Sequence, residues 1–170
     1  MIEATQSEMT LDQQHKTSTR VGVISDTHGL LRPEAIAALA GSSLILHAGD
    51  IGKPEVLHEL RAIAPVVAVR GNHDQGTWAA AIPERETIKV EAVSIHLLHI
   101  LKELTLDPKL AEIQIVISGH SHKPVVEMRE GVIFLNPGSA GPRRFKLPVS
   151  VAQLQIDGVE VQTQIIELSV

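Results

Sequence analysis

Residues 20–74 read RVGVISDTHGLLRPEAIAALAGSSLILHAGDIGKPEVLHELRAIAPVVAVRGNHD, and this stretch decides the fold. RVGVIS is a short apolar run of the kind that forms a buried strand. PEAIAALAG opens with Pro33 and closes with Gly41, the residues that start and stop a helix. The pattern then repeats: SLILHAGD predicts a second strand and its turn, PEVLHELRAIA a second helix, and PVVAVRGNHD a third strand that runs into a loop. Strand, helix, strand, helix, strand at this spacing predicts right-handed crossovers and a parallel sheet.

Downstream of this unit the chain is richer in strands. RETIKVE (85–91), VSIHLLH (93–99), IQIVISG (113–119), KPVVEM (123–128), GVIFLN (131–136), SVAQLQI (150–156) and EVQTQII (160–166) are separated by Gly, Pro or Asp turns. They predict a second, more mixed sheet. Asp157-Gly158 between alternating residues marks a hairpin, and LDPKLAEI (106–113) is the one helix expected in this half. The expected fold is α/β, a four-layer αββα sandwich of two mixed sheets with helices outside. Upstream, residues 1–19 are polar and aperiodic. They read as a flexible N-terminal extension to a single domain spanning 20–170.

Composition narrows the function. The 170 residues are enough for one domain with a real core. Hydrophobic residues make up 44% but aromatics only 2%, so Val, Ile, Leu and Ala must build that core. A net charge of −5, one Trp and two Phe leave neither a basic surface nor stacking platforms for nucleic acid. There is no cysteine, so a metal site must use His, Asp, Asn or Glu. The start lacks a basic segment followed by an apolar stretch, and no segment is apolar and long enough to span a bilayer. The expected location is cytoplasmic, without a membrane partner.

The chemistry gathers just after the predicted strands: Asp26 and His28, Asp50, Asn72 with His73 and Asp74, His99, then His120 and His122. In an open α/β sheet, the crevice beyond the carboxyl ends of strands is where ligands bind. Asp26 and His28 are two residues apart, so an extended loop presents both to one ion, and His120 and His122 repeat that spacing. Each piece alone reads as a turn or a surface pair; their joint occurrence points to a metal centre. Imidazole, carboxylate and a neutral amide oxygen together suit borderline-to-hard divalent ions. His15, His47, His58 and His96 are assigned to structure or solvent, His47 least securely because it precedes Asp50 by three residues.

ISDTHG, HAGD, VRGNHD, a strand-end His and ISGHSH, in this order, resemble the successive signatures of the calcineurin-like metallophosphoesterases. The short chain and the LNPGSAGPRR segment (135–144) are most similar to the small YfcE-like phosphodiesterase branch. The resemblance implies two divalent ions, with Mn first and Fe, Zn, Ni or Mg as alternatives. Asp26, His28, Asp50 and His122 would hold one ion; Asp50, Asn72, His99 and His120 would hold the other, with Asp50 bridging. It further implies a small phosphate-ester substrate, most readily a phosphodiester, hydrolysed by a metal-bound hydroxide. His73 would protonate the leaving group or stabilise charge on the phosphate, with Asp74 orienting its ring.

Two departures from the family pattern stand out. His73 occupies a position where many small members carry Cys, and His99 is followed by Ile100 and Leu101 rather than by Gly and a second His. The 135–144 segment can be substrate-facing, a rigid turn with solvated arginines, or a contact in a homo-oligomer. The resemblance also admits a non-catalytic protein-interaction scaffold, as in a eukaryotic sorting subunit of the same small fold with a degraded metal site. All seven ligand positions and His73 are filled here, which favours the enzyme. A metal-dependent nuclease is disfavoured by the acidic charge and the lack of an added DNA-binding domain.

Overall fold

The computed structural model describes residues 18–170. The elements, in order, are β1 (Thr19–Ile24), α1 (Pro33–Leu39), β2 (Leu44–His47), α2 (Pro54–Arg61), β3 (Val66–Ala68), α3 (Thr77–Ala80), β4 (Arg85–Val90) and β5 (Val93–Leu98). A single 3-10 turn at Leu101–Glu103 follows, then β6 (Ile115–Ile117), β7 (Val125–Arg129), β8 (Val132–Asn136), β9 (Ser150–Asp157) and β10 (Glu160–Glu167). Most of the expected extension, including His15, lies outside the described residues. At its end Thr19 already belongs to β1, paired with Ile156.

Two five-stranded mixed sheets form, in the orders β10-β9-β1-β2-β3 and β4-β5-β6-β8-β7, with helices alongside. The αββα expectation holds. In the first sheet β1, β2 and β3 run parallel, as the two Pro-opened crossover helices require. In the second, β5, β6 and β8 are parallel, with β4 and β7 antiparallel at the edges. One core joins the sheets: Val21, Val23, Leu46, Ile95, Ile115, Ile117 and Leu154, all at 0–1% exposure, pack with neighbours into a single aliphatic cluster. Truncating one of them, such as Ile95 to Ala, costs about 2–5 kcal/mol. A second cluster lies under α1 and α2, where Ala35, Leu39, Val56 and Leu60 meet Ile24 and Ile45.

Two expectations need correction. The C-terminal hairpin does not extend the second sheet. β9 pairs antiparallel with β1 and joins the first. Its residues are buried on both faces, with Ala152, Leu154 and Ile156 in the inter-sheet core and Val151 in the helix-side cluster. Such a strand needs partners on both edges, and β1 and β10 supply them. The helix expected over 106–113 is a single turn. Oδ1 of Asp107 accepts the amides of Lys109 and Leu110, one turn closes through Ala111 and Ile113, and Glu112 at φ 56° ends it. Ile113 is thereby turned inward onto Leu98, Val116 and Val132.

No helix among the described residues is long and apolar enough to cross a membrane. For function, the important feature is direction. The carboxyl ends of β1, β2, β3, β5 and β6 are followed directly by the segments that carry the chemical residues.

Candidate metal centre

Six of the expected ligands converge into two groups of donors. Asp26, His28 and His122 form one, and Asp50, His99 and His120 the other, each able to place one ligand atom from every member within 4.8 Å of the rest. In the first group, His122 Nε2 is 3.1 Å and His28 Nε2 3.8 Å from Asp26 Oδ1, and the two ring nitrogens are 3.5 Å apart. In the second, His99 Nε2 is 3.2 Å from Asp50 Oδ2. The same Asp50 oxygen lies 3.7 Å from His28 Nε2, so it faces both groups.

The remaining atoms of these side chains are used to aim them. Asp26 Oδ2 accepts the Ser25 hydroxyl at 2.6 Å and the His120 amide at 3.1 Å, which leaves Oδ1 pointing at the imidazoles. Asp50 Oδ1 accepts the His73 amide at 3.0 Å, leaving Oδ2 for the same purpose. His99 Nδ1 donates to the Ala48 carbonyl at 2.7 Å, so in the neutral ring Nε2 carries the lone pair. Anchoring one imidazole nitrogen to a carbonyl fixes the tautomer that a metal needs at the other.

Of the buried side-chain atoms without a hydrogen-bond partner, Asp26 Oδ1 and His99 Nε2 point into the centre. Burying such atoms unpartnered is costly. A divalent cation among these nitrogen and oxygen donors would satisfy both, so the residues fit a metal pair.

The backbone carries the same message. Nine non-glycine residues among those described take positive φ, and five of them are Asp26, His28, Asp50, His120 and His122. Each left-handed residue costs on the order of 1 kcal/mol or more, so this much strain at one place signals a constraint other than stability. Glycines make the close approaches. A Cβ on Gly71 would lie 2.1 Å from Asp50 Oδ1, and one on Gly119 would lie 2.1 Å from the Ser25 hydroxyl and 2.7 Å from Asp26 Oδ2. The Gly-Asn and Gly-His pairs of the sequence are thus sites where one ligand loop must touch another.

Electrostatics follow the geometry. Burial acts to raise the Asp26 pKa, but His122 and Ser25 overcome it and hold the carboxyl below its usual range. Asp50 is likewise opposed by burial yet lowered to about 2, chiefly by His99 and the His73 amide. For His99 burial is again the largest influence and acts downward, but Asp50, Asp26 and the Ala48 carbonyl together raise its pKa. His28 is lowered, first by burial, with Asp50 and Asp26 pulling the other way and Arg144 adding to the depression.

Among the remaining expected residues, Asn72 is exposed and lines a hollow of about 150 Å³ beside His99. His73 is exposed on the same loop, its ring centre 5.7 Å from that of His28. The Asp74 carboxylate accepts the amides of Ile51 (3.1 Å), Gly52 (2.9 Å) and Gly71 (2.8 Å), and so ties the Asp50 loop to the Asn72 loop. Three converging backbone donors hold a carboxylate more firmly than one exposed imidazole could.

Sequence reasoning assigned His47 to structure or solvent but missed its partners and the other supporting residues. His47 is fully buried, its Nδ1 accepting the Gly49 amide (3.1 Å) and its Nε2 3.0 Å from Thr27 Oγ1. Thr27 donates its own proton to the Ile51 carbonyl at 2.8 Å, so His47 must donate through Nε2 and is the neutral tautomer. Burial lowers its pKa to about 4. Ser139 donates to the Asp26 carbonyl at 3.0 Å, and Asn136 donates to the Gly119 carbonyl at 2.8 Å. The 135–144 segment is therefore a brace for the ligand loops. Of its arginines, Arg143 donates to the Val170 carbonyl, whereas the charge of Arg144 is felt at His28.

Comparison with known proteins agrees with this geometry. The chain is 37% identical over 161 residues to a probable metallophosphoesterase of Methanothermobacter thermautotrophicus, a match spanning 86% of this chain and 91% of that protein. Among solved structures, Entamoeba histolytica Vps29 complexed with Zn2+ superposes at a TM-score of 0.69 and 24% identity, covering 88% of this chain and 99% of that one. An archaeal phosphodiesterase superposes at 0.68 and 20% identity, covering 87% and 100%. At these identities the two structures show the shared fold. A profile of the calcineurin-like phosphoesterase superfamily domain matches residues 19–158, and with donors for two metal groups at its strand ends the chain belongs to that superfamily.

Proposed function

We propose that the protein is a dinuclear-metal phosphodiesterase of the small YfcE-like branch, acting on a small phosphate ester, with Mn among the ions that support it. The observation that carries this reading is Asp50 Oδ2, which faces the imidazoles of both donor groups while Asp50 Oδ1 is held by the His73 amide. Asp26, His28 and His122 would hold one ion with Asp50; His99, His120, Asn72 and Asp50 would hold the other. Divalent ions there supply charge neutralisation on the phosphoryl oxygens and a lowered pKa for the attacking water.

The chain's own residues supply the rest. His73, exposed at the rim and beside His28, can deliver a proton to the departing ester oxygen. Arg144, close enough for its charge to be felt at His28, offers a cation to the non-bridging phosphate oxygens. Asp74, His47 and Ser139 keep the ligand loops in register, so the donors need little rearrangement. A full set of ligands favours catalysis over a purely scaffolding role.

The test is a matrix of metals against phosphomonoesters and phosphodiesters on purified protein. Chelation should abolish turnover and Mn should restore it, with diesters preferred. Undiminished hydrolysis in protein shown by elemental analysis to be metal-free would overturn the reading.

A further inference from the structure

The second sheet is covered differently from the first, and the difference leaves a groove. Crossover helices pack over the first sheet. Over the second, the chain leaving His99 makes only the 3-10 turn at 101–103 and a loop, which buries Leu98, Ile113, Val116 and Val132 with help from Leu101, Leu104 and Phe134. Between this thin cover and strands β7 and β8 lies a groove of about 560 Å³. That is the size of a small-molecule site.

The groove is continuous with the metal centre. His120, a donor of the second metal group, lines its inner end together with Ile100 and Leu101. At the far end Phe134 lies under the Arg129 guanidinium, 4.7 Å from ring centre to cation, and Arg129 is paired with Glu127 at 2.8 Å. Ile100, Leu101, Val125, Phe134 and Leu135 give the groove its apolar surface, and its two cations are Lys102 and the Glu127-paired Arg129. Apolar surface on several sides suits an organic group.

We infer that this groove binds the second ester group of the substrate, the one retained on the product phosphate, and that it selects a flat, largely apolar group of naphthyl to nucleoside size. Ile100 and Leu101, which follow the donor His99 directly, form the wall that makes the selection. The inference rests on the phosphodiesterase reading above. A phosphate held at the metal pair would place its retained ester against His120 and Ile100, and apolar surface removed from water there contributes to binding in proportion to its area.

The experiment uses the full-length, metal-loaded protein and two diesters that share a p-nitrophenolate leaving group, one carrying a methyl and the other a 1-naphthyl ester. The expected result is a kcat/KM about ten-fold or more higher for the naphthyl ester. In the double variant Ile100→Gly with Leu101→Ser that ratio should fall about ten-fold, the scale of losing one apolar side-chain contact. As a readout without turnover, 1-naphthylphosphonate added to Zn-loaded protein should shift the methyl resonances of Ile100 and Leu101. Hydrolysis of both diesters with a ratio near one, unchanged by the double variant, would overturn the groove assignment and leave the phosphodiesterase reading intact. Failure of metal-loaded protein to hydrolyse either diester would overturn that reading, and the groove assignment with it.

Discussion

The two donor groups are equally complete in chemistry but unequal in enclosure. Asp26 and His122 are buried and His28 half-buried, beneath a brace in which Ser139 bonds the Asp26 carbonyl and the Ala140 amide bonds the Ser25 carbonyl. In the other group Asp50 and His99 are buried but His120 is exposed and borders the groove. The difference teaches that the braced group has the firmer loops and the open one the more exposed donor. Enclosure also implies different metal exchange. The ion at Asp50, His99 and His120 should leave first on dilution or chelation.

Asp50 is the residue on which the comparison would break, because one carboxylate serves both groups. Asp50→Asn should lower metal content at both positions and reduce kcat/KM by about three orders of magnitude or more. Elemental analysis checks it, and two retained ions per chain would show that Asp50 does not bridge.

Next in size is His73→Ala. A general acid matters in proportion to the charge on the departing oxygen, so the loss should be about 10²-fold or more on alkyl or nucleotide esters and much smaller on nitrophenyl esters, with metal content normal. A plot of kcat/KM against leaving-group pKa, restricted to substrates limited by chemistry, decides the matter. A uniform loss across the series would reassign His73 to binding of the phosphate oxygens.

Gly119→Ala probes the braced group alone. Its methyl would press on Ser25 and Asp26 Oδ2, so affinity at the Asp26, His28 and His122 position should fall about 10–100-fold while the other position changes less. Stepwise metal titration by calorimetry gives both constants. Equal weakening at the two positions would mean the groups are not independently supported.

The one effect on stability alone concerns His47, which ties the Asp50 loop to Thr27. Its folded pKa of about 4 lies below the ordinary 6.5, so between these values the unfolded chain binds the extra proton. The stability that depends on a neutral His47 is fully present above pH 6.5 and is lost as pH falls toward 4, about 3 kcal/mol in all. His47→Gln should flatten that part of the pH dependence. Denaturant unfolding with chelator present, between pH 4 and 7, measures it; parallel curves for the two proteins would remove His47 as the titrating group.

How much of this was legible beforehand differs by residue. Pro33 and Pro54 marked the helix starts because a ring without an amide proton suits the first helical turn, and the strand-end positions of Asp26, Asp50, His99, His120 and His122 followed from local apolar runs. Asp74 was identified as important, but its backbone partners were not legible. Its spacing from His73 suggested a side-chain pair, whereas its partners are amides of two separate loops. LDPKLAEI had helical composition, yet one turn is all that fits before Ile113 must enter the core.

The sequence by itself determined the parallel unit, the aliphatic core and the six candidate donors that converge, because these depend on patterns within one strand or loop. Tertiary structure decided what depends on pairing across distance. β9 lies in the first sheet because β1 and β10 pair with its two edges while Ala152, Leu154 and Ile156 enter the core between the sheets. The five left-handed donors, the two orphaned ligand atoms and the groove beside His120 exist only once loops far apart in sequence are pressed together by the core beneath them.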